Sequence, residues 1–525
     1  MTAITPPGRE TDDIRVAEIL GALSLTTDLG AGVPFEKGLR TCVAASGLAG
    51  ELGLSCSDRR DVYFAALLRS LGCTAHSSTF AALFDDDVVI QRELKMLDLD
   101  DPGSSAARAA RFATWAGTER ARELTALFAT EVPAQGASLA RGSCEVSTLL
   151  GTRLGLPAGA IAVLDEVYER YDGRGFPAGL AGDHLAIAAR VVHVAEQAVM
   201  AQYEGDGRSA VHHVSRLSGG HLDPDVCAAF MAGAEEILGA LDVPDVLTAT
   251  LAREPQPSIR FGRAEFERVC TAFGGFADLK GRFLLGHSAH VAELADRAAQ
   301  LSGHDEETRA GLRTSGLLLD LGRVGVSSAI WDRPGRLSPV EWERVRLHPY
   351  WTQRILTRCP ALDQLAPFAA SHHERLDGSG YHRAARGIEL SRGDRLLAAA
   401  DVFAAMTEER PHRPAHTRAD AARSLHALVQ AGRVDAAAAA AVVEAGGLPR
   451  RRAAWPNDLT DREVAVLRIL ARGLSNREIA SALVLSPRTV QHHLASVYGK
   501  IGLHTRAGAA VFAIEHGLVP AGPEA

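Results

Sequence analysis

Apolar residues recur at helical spacing along most of the chain, and alternating runs of β-branched residues are few. Alanine, leucine, arginine and glutamate, which favour helices, supply much of the sequence, whereas aromatic residues make up only 5% of it. Both features are typical of amphipathic helices that pack on one another. The sequence therefore predicts an all-α fold.

Two stretches interrupt this helical pattern. Residues 253–262 hold two prolines and little apolar content, and residues 446–457 combine glycine, proline and a basic run. Both stretches are typical of linkers. A chain of 525 residues is also too long for a single hydrophobic core. The predicted domains are residues 14–250, 263–447 and 458–518.

The first two predicted domains repeat one another, and we call them the first and the second copy. Four spacings between polar residues are identical in the two copies: Asp172 to Arg190 and Asp377 to Arg395, Asp172 to Glu196 and Asp377 to Asp401, Asp28 to Lys37 and Asp278 to His287, and Lys37 to Ser70 and His287 to Asp320. Four shared spacings indicate a tandem duplication of one helical domain. The middle of the first copy is longer by about 45 residues, and we expect an insertion near residues 85–101.

The charge is distributed unevenly. The formal net charge is −8, but residues 450–525 contain ten Lys or Arg and six Asp or Glu, a balance of +4 that leaves −12 on the rest of the chain. A basic end on an acidic body predicts that nucleic acid binds at that end.

Neither secretion nor a membrane is indicated by the sequence. No uninterrupted apolar run approaches the ~18 residues of a membrane helix, and the first 13 residues are polar and acidic, unlike a signal peptide. The seven cysteines are odd in number and include no CxxC pair, which favours reduced thiols over disulfides or a cysteine zinc site. We expect a cytoplasmic protein without a membrane partner.

The basic end carries the start and stop signals of four short helices. Thr460 and Ser475 are each followed three residues later by glutamate, as in a capping box. Gly473 ends the first helix, Ser486 with a following proline begins the third, and residues 505–516 form the fourth. The apolar side of the fourth helix is expected to include Ala507, Val511 and Ile514. The third helix has an apolar stripe of Val490, Leu494, Val497 and Ile501.

The opposite face of the third helix is polar and carries Arg488, Thr489, Gln491, His492 and Lys500. Short helices joined by a tight turn, with such a face on the second of the pair, suit insertion into the DNA major groove. Arg488 and Lys500 are expected to contact phosphates, and Gln491 to pair with a base edge. A solvated polar face would also be present on any helical trio without a DNA function.

This part of the sequence closely resembles the LuxR-type helix-turn-helix family. The matching positions are Glu463, Gly473, Ser475, Asn476, Glu478, Ile479, Ala480, Thr489, Val490, His493, Lys500 and Arg506. The resemblance implies double-stranded DNA as a partner, a homodimer formed through the fourth helix, and RNA polymerase as a further candidate partner. Gln491 departs from the family, which usually has Lys or another strong donor there, and Ile501 replaces a leucine.

Histidines and aspartates of the second copy are candidate metal ligands. In chain order they are His287, Asp320, His348, His372, His373 and Asp401. Imidazole and carboxylate groups suit Fe, Mn, Ni or Zn, and two ions bridged by an aspartate can activate water against a phosphodiester. A lone histidine such as His348 is as readily a core or surface residue. The adjacent His372 and His373, followed by Glu374 and a glycine-rich turn, are harder to explain without a site.

The order of these residues over 265–420 resembles the HD-GYP family, a helical branch of the HD phosphohydrolases that hydrolyses cyclic di-GMP. The resemblance implies that Asp320 bridges the metal ions and that Arg323 acts with it in catalysis, if the protein is active. Three positions depart from the family. Leu319 stands where the family has a metal-binding histidine, Arg323 replaces a lysine, and His382 replaces the proline of the GYP turn. Leucine has no donor atom, and arginine keeps a cation with a different geometry.

The first copy has lost the ligand set. Its matching positions hold Lys37, Arg69, Ser70, Val167, Tyr168 and Glu196. Only Glu196 could bind a metal, whereas the DGRGFP turn at residues 172–177 is kept and is explained by backbone geometry. We expect this copy to be a scaffold, a dimerisation surface or a pocket with altered chemistry.

Three functions remain open from the sequence. The leading hypothesis is a transcription regulator with a sensory or scaffolding HD-GYP-like body. The alternative is a metal-dependent cyclic di-GMP phosphodiesterase tethered to DNA, and the third is a body that serves only for dimerisation. The remaining ligand set could hold one ion, or bind a cyclic dinucleotide or other phosphate through Arg323 and Arg413. Leu319 is the residue that distinguishes regulator from enzyme.

Overall fold

The computed structural model describes residues 14–95, 97, 102–113, 118–448, 455–471, 473–503, 505–516 and 518. Helices dominate these residues, which confirms the predicted all-α fold. Within the described ranges two short strands, β1 (Ile14–Arg15) and β2 (Arg260–Phe261), pair antiparallel. The predicted linker at 253–262 therefore ends in a strand that pairs with the start of the described chain.

The first copy contains twelve helices among its described residues. They are α1 (Val16–Gly30), α2 (Lys37–Glu51), α3 (Cys56–Leu68), α4 (Ser77–Phe84), α5 (Asp87–Lys95), α6 (Pro102–Ala113), α7 (Thr118–Arg153), α8 (Ala158–Asp165), α9 (Ile187–Glu204), α10 (Gly207–Leu217), α11 (Pro224–Gly239) and α12 (Val246–Leu251). The extra length of this copy falls on α5 to α7. These helices share with α4 a core cluster of Phe80, Phe84, Ile90, Ala109, Leu124 and Phe128.

The second copy follows with eleven helices. They are α13 (Arg263–Asp278), α14 (His287–Leu301), α15 (Glu306–Leu318), α16 (Ser328–Trp331), α17 (Pro339–Arg346), α18 (His348–Leu356), α19 (Pro360–Asp363), α20 (Ala366–Ala370), α21 (Arg392–Thr407), α22 (Arg418–Gln430) and α23 (Ala436–Ala445). The helix lengths match those of the first copy, since α2 and α14 both have 15 residues and α3 and α15 both have 13. Further 3₁₀ helices cover Gly182–His184, Leu321–Gly325 and Pro456–Asp458.

The glycine-rich turn has the same construction in both copies. Glu169 accepts backbone N–H groups of Ala178, Gly179 and Leu180, as Glu374 does from Arg383 and Ala385. A Cβ on Gly175 would lie 2.3 Å from the backbone nitrogen of Arg170, and a Cβ on Gly380 would lie 2.5 Å from that of Arg375. Glycine is therefore required at both positions because the backbone approaches itself too closely for any side chain. This local duplication agrees with the tandem repeat.

The end of the chain forms the four expected helices: α24 (Asp461–Ala471), α25 (Asn476–Leu483), α26 (Pro487–Ile501) and α27 (Arg506–Glu515). Both predicted capping boxes are present, at Thr460 and at Ser475. Gly473 has a φ of +87°, which only glycine adopts readily, and it ends α24. The predicted apolar stripe of α26 is buried. The side chains of Ala507, Val511 and Ile514 lie outside the described residues.

The chain forms two compact units. One comprises the described residues up to Gly286 together with Asp320–Ala366, and the other comprises His287–Leu319 and the described residues from Pro367 onward. These units divide the chain differently from the bounds drawn from the repeat, 14–250, 263–447 and 458–518, which stay a prediction. Over the described residues no helix has the length and apolar content to cross a membrane. The seven cysteines are all free, six of them buried.

Candidate functional site

His287 and Asp401 meet within the second unit. His287 is the first residue of α14, Asp401 lies in the middle of α21, and His287 Nε2 is 3.2 Å from Asp401 Oδ1. The second carboxylate oxygen of Asp401 lies 3.7 Å from Nδ1 of His373. Burial opposes ionisation of Asp401, but the hydrogen bond with His287 and the charges of His373 and His372 hold its pKa well below its usual range. An anionic carboxylate between the buried imidazole of His287 and the half-buried imidazole of His373 has the donor chemistry of a divalent-metal site.

His372 and His373 lie directly after α20 in the same unit. Their ring centroids are 4.1 Å apart, and one nitrogen of each ring lies within 4.8 Å of the other. His372 Nδ1 donates to the carbonyl of Ala369 at 2.6 Å, which leaves Nε2 as the nitrogen that carries a lone pair. The ring of His373 packs against Tyr381 of the glycine-rich turn, with centroids 4.6 Å apart. Both histidines therefore present nitrogens suitable for an ion.

Asp320, Arg323 and His348 form a buried group within the first unit. His348 begins α18, and its Nε2 lies 3.4 Å from Asp320 Oδ1, while its Nδ1 donates to the carbonyl of Val345 at 2.6 Å. Arg323 Nη1 forms an ion pair with Asp320 Oδ2 at 2.8 Å. The guanidinium of Arg323 also lies over the ring of Trp331, 5.3 Å from its centroid. A fixed cation therefore already occupies one oxygen of the aspartate expected to bridge two metal ions.

Leu319 is fully buried at the end of α15. Its side chain contributes only hydrocarbon at the position where the family has a histidine, as the sequence indicated. Arg413, suggested as a phosphate contact, donates instead to the backbone carbonyls of Ala405, Met406 and Glu408. Its guanidinium therefore fixes the chain after α21, and the suggested phosphate role stays a prediction.

Glu408 and His290 were missed by the sequence analysis. Glu408 directly follows α21, and its carboxylate lies 2.8 Å from Nδ1 of His287 and 2.9 Å from Nδ1 of His290. Burial opposes its ionisation, but these hydrogen bonds and the charge of Arg410 lower the pKa of Glu408 to about 2. No spacing in the sequence identifies Glu408 as a site residue, because it contacts the histidines of α14 only after the end of α21 packs against the start of α14.

The first copy replaces its ligand positions with a buried ion cluster. Glu196 forms ion pairs with Lys37, with Arg69 at 2.5 Å and with Lys95 at 3.7 Å. Burial opposes ionisation of Glu196, yet the three cations hold its pKa far below its usual range. Burial also lowers the pKa of Lys95 to about 8. Fixed cations now stand around the one remaining carboxylate, so the arrangement repels a metal ion rather than binding it.

The polar face of α26 that is expected to contact DNA, which we call the recognition face, carries Arg488, Thr489, Gln491, His492 and Lys500. Arg488, Gln491 and His492 are exposed, and the Thr489 hydroxyl is hydrogen-bonded to Ser486 Oγ at 2.8 Å. Lys500 is different, because its ammonium donates to Glu463 at 2.7 Å and to the carbonyl of Asp458 at 2.9 Å. The sequence placed Lys500 among the phosphate contacts; the structure gives its charge an internal partner, and the phosphate role stays a prediction.

Substitution of Arg488 and of Lys500 by alanine should have different consequences. Arg488→Ala is expected to weaken DNA binding about equally for all sequences and to reduce the slope of log K against log salt by about 1, because one phosphate contact is lost. Lys500→Ala leaves the buried Glu463 without its cation and should lower the free energy of unfolding by about 1–3 kcal/mol. Fluorescence anisotropy at several salt concentrations and thermal melting separate the two effects. A reduced salt slope for Lys500→Ala at an unchanged melting temperature would establish the phosphate contact instead.

Two family models match parts of the chain. Residues 275–438 match the family described as HD domain, and residues 457–513 match the family described as bacterial regulatory proteins, luxR family. These matches confirm both resemblances drawn from the sequence motifs. All six candidate metal ligands fall within the first match, and the recognition face of α26 falls within the second.

Individual proteins with similar sequences point to the same two families. The 3′3′-cGAMP-specific phosphodiesterase 3 of Vibrio cholerae is 28% identical over 409 residues, which cover 76% of this chain and 88% of that protein. The Fimbriae Z protein of Escherichia coli is 55% identical over 47 residues, which cover 9% of this chain and 22% of that protein. A crystal structure of a cyclic GMP-AMP-specific phosphodiesterase of V. cholerae shares the fold, with a TM-score of 0.59 and 24% identity over 83% of this chain and 98% of that one.

Proposed function

The chain combines an HD domain with a C-terminal LuxR-type helix-turn-helix domain, and on this premise we propose that it is a DNA-binding regulator whose HD domain senses a cyclic dinucleotide. In this proposal the second copy binds the ligand but hydrolyses it poorly, and the helix-turn-helix reads the operator. Arg488, Thr489, Gln491 and His492 are the proposed DNA contacts. The protein is proposed to act as a cytoplasmic homodimer, with RNA polymerase as a further partner.

The ion pair between Arg323 and Asp320 carries the proposal. A phosphohydrolase with two metal ions needs an anionic aspartate that bridges them. Here Asp320 has a guanidinium 2.8 Å from Oδ2, and the preceding residue, Leu319, offers no donor atom. The charge of the guanidinium substitutes for part of the charge that a second ion would supply. Asp320 and Arg323 would be catalytic only if hydrolysis remains.

The remaining donors fit a single divalent ion such as Fe, Mn, Ni or Zn. The proposed ligands are His287, Asp320, His348, His372, His373 and Asp401, and the second unit brings His287 and His373 to the two carboxylate oxygens of Asp401. His348 and His372 each donate Nδ1–H to a backbone carbonyl, an arrangement that orients Nε2 for metal binding. The match to the HD domain family spans all six residues, which supports proposing each of them as a ligand. When bound, such an ion would polarise a phosphate oxygen of the ligand.

The proposed ligand class follows from the relatives. The V. cholerae relative that is aligned over 88% of its length is named for 3′3′-cGAMP. A cyclic dinucleotide carries two phosphates, and both a bound ion and a guanidinium such as that of Arg323 are suitable partners for a phosphate. The same V. cholerae relative is named a phosphodiesterase, so a phosphodiesterase tethered to DNA remains the second candidate function.

A physical route connects the second copy to the DNA-binding helices. Asp401 lies on α21, which packs against α22. Arg468 of α24 donates to the carbonyls of Val429 and Gln430 at the end of α22, and also to that of Leu518. Trp455 is buried beneath this guanidinium. A ligand that binds one position of α21 more tightly than another would shift the position of α24 through these contacts.

Metal analysis of the full chain, combined with binding and hydrolysis of 3′3′-cGAMP and cyclic di-GMP, tests the proposal. We expect no more than one metal ion per chain, saturable binding of a cyclic dinucleotide by calorimetry, and hydrolysis close to background. His372→Ala should lose the ion and serves as the matched control. Two ions per chain with rapid turnover would establish the enzyme instead. A protein with neither ion nor ligand would be a scaffold for dimerisation.

A further inference from the structure

His287 is fixed on both edges of its imidazole ring. Its Nδ1 lies 2.8 Å from Oε2 of Glu408, and its Nε2 lies 3.2 Å from Oδ1 of Asp401. All three side chains belong to the same compact unit, and His287 is only 1% exposed. The resemblance to the HD-GYP family assigns roles to His287 and Asp401 but none to Glu408.

We propose that Glu408 is a positioning residue that prepares His287 to bind the metal ion; this inference rests on the proposed function. A carboxylate oxygen of Glu408 is the nearest partner of Nδ1 at 2.8 Å, whereas the guanidinium of Arg410 is farther from it at 3.4 Å, so Nδ1–H donates to Glu408. Without an ion, Asp401 accepts from Nε2 at 3.2 Å; an ion that binds Nε2 displaces that proton, while Glu408 keeps the proton on Nδ1. Glu408 thereby selects the ring nitrogen and holds it toward Asp401.

Glu408 is not itself placed to be a ligand of the same ion. The two nitrogens of an imidazole point in divergent directions, and Glu408 contacts Nδ1 whereas Asp401 contacts Nε2. An ion bound between His287 Nε2 and Asp401 would lie on the far side of the ring from Glu408. Glu408 therefore acts through His287 and does not replace the histidine missing at Leu319.

The carboxylate of Glu408 is itself held in place. His290, one turn further along α14, donates Nδ1–H to Oε1 at 2.9 Å, and Arg410 donates to Oε2 at 2.8 Å. Both carboxylate oxygens are therefore engaged, and the end of α21 is tied to the first turn of α14. This arrangement limits rotation of Glu408, so it can fix the ring of His287 more firmly than a free side chain could.

Titration of the metal-free full chain with Co²⁺, followed by visible absorption, tests the role of Glu408 without any activity assay. Glu408→Ala is expected to raise the Kd for Co²⁺ about 10–100-fold, the usual effect of losing such an outer carboxylate, and to change the absorption bands of the bound ion. Glu408→Gln, whose amide oxygen still accepts from Nδ1, should restore most of the affinity. Glu409→Ala is the matched control, because Glu409 is the exposed neighbour and should leave Co²⁺ binding unchanged.

The outcomes separate this inference from the proposed function. Unchanged Co²⁺ binding by Glu408→Ala would overturn the positioning role and leave the metal site intact, whereas no Co²⁺ binding by the natural chain would overturn both. A second measurement needs no variant: ¹⁵N spectra of the metal-free chain with labelled histidine should show His287 protonated at Nδ1. Protonation at Nε2 alone would overturn the inference even if Glu408→Ala does not fold.

Discussion

Replacement of Glu196 by alanine is expected to lower the free energy of unfolding by about 3–5 kcal/mol, because removal of one member of a buried ion group leaves uncompensated charge. Lys37 is 1% exposed and Arg69 is 9% exposed, so neither can recover its hydration without local unfolding. Lys95, whose ammonium lies 3.7 Å from Glu196, would lose this ion pair as well. Urea denaturation followed by circular dichroism measures the change.

Glu204→Ala provides the matched control on the same helix. Glu204 also pairs with an arginine, Arg108, at 2.7 Å, but its side chain is 24% exposed. Its loss should cost at most about 1 kcal/mol, as for other partly exposed ion pairs. Equal effects of the two substitutions would show that the buried ion cluster contributes no special stability to the first copy.

Much of this fold could be predicted because helical geometry converts spacing into position. In each copy an interval of 24 residues separates the aspartate of the glycine-rich turn, Asp172 or Asp377, from an acidic residue. This interval places Glu196 and Asp401 at corresponding positions of α9 and α21. The capping boxes at Thr460 and Ser475 were also readable, because a cap involves residues only three apart. Local rules of this kind determine where helices form and at which residues they begin and end.

The chemistry of the first copy could not be predicted in the same way. Spacing placed Lys37 and Arg69 at former ligand positions, but Lys95 comes from the insertion, which has no counterpart in the second copy. The partners of Lys500 and Glu408 likewise lie on other helices, 37 and 121 residues away in the chain. Such contacts depend on how helices pack, and no local pattern encodes them.

Leu319→His is the substitution expected to change the function most. It restores a nitrogen donor at the position that the family uses for metal binding, and Leu319 is already buried, so the new imidazole would be shielded from water. Combined with Arg323→Lys, which removes the planar guanidinium from Asp320, it should raise the metal content from one ion to two per chain. Hydrolysis of 3′3′-cGAMP should then rise well above that of the natural chain.

Leu318→His is the control for burying an imidazole. Leu318 precedes Leu319 and is equally buried, so the two substitutions impose a similar desolvation cost on α15. Only the residue at 319 corresponds to a ligand position of the family. We expect Leu318→His to lower stability without any gain of metal or turnover, and comparison of the two variants isolates the contribution of the ligand.

Metal content and turnover of the variant that combines Leu319→His with Arg323→Lys decide between the two candidate functions of the HD domain. A gain of the second ion and of turnover would mean that only the residues at 319 and 323 separate this chain from a hydrolase, so the natural Leu319 and Arg323 preserve the bound ligand as a signal. No gain in the folded double variant would mean that the packing around Asp320 has changed the site more than the two substitutions can reverse. Turnover by the natural chain at the level of the variant would contradict the regulator and make Leu319 a tolerated substitution in an enzyme.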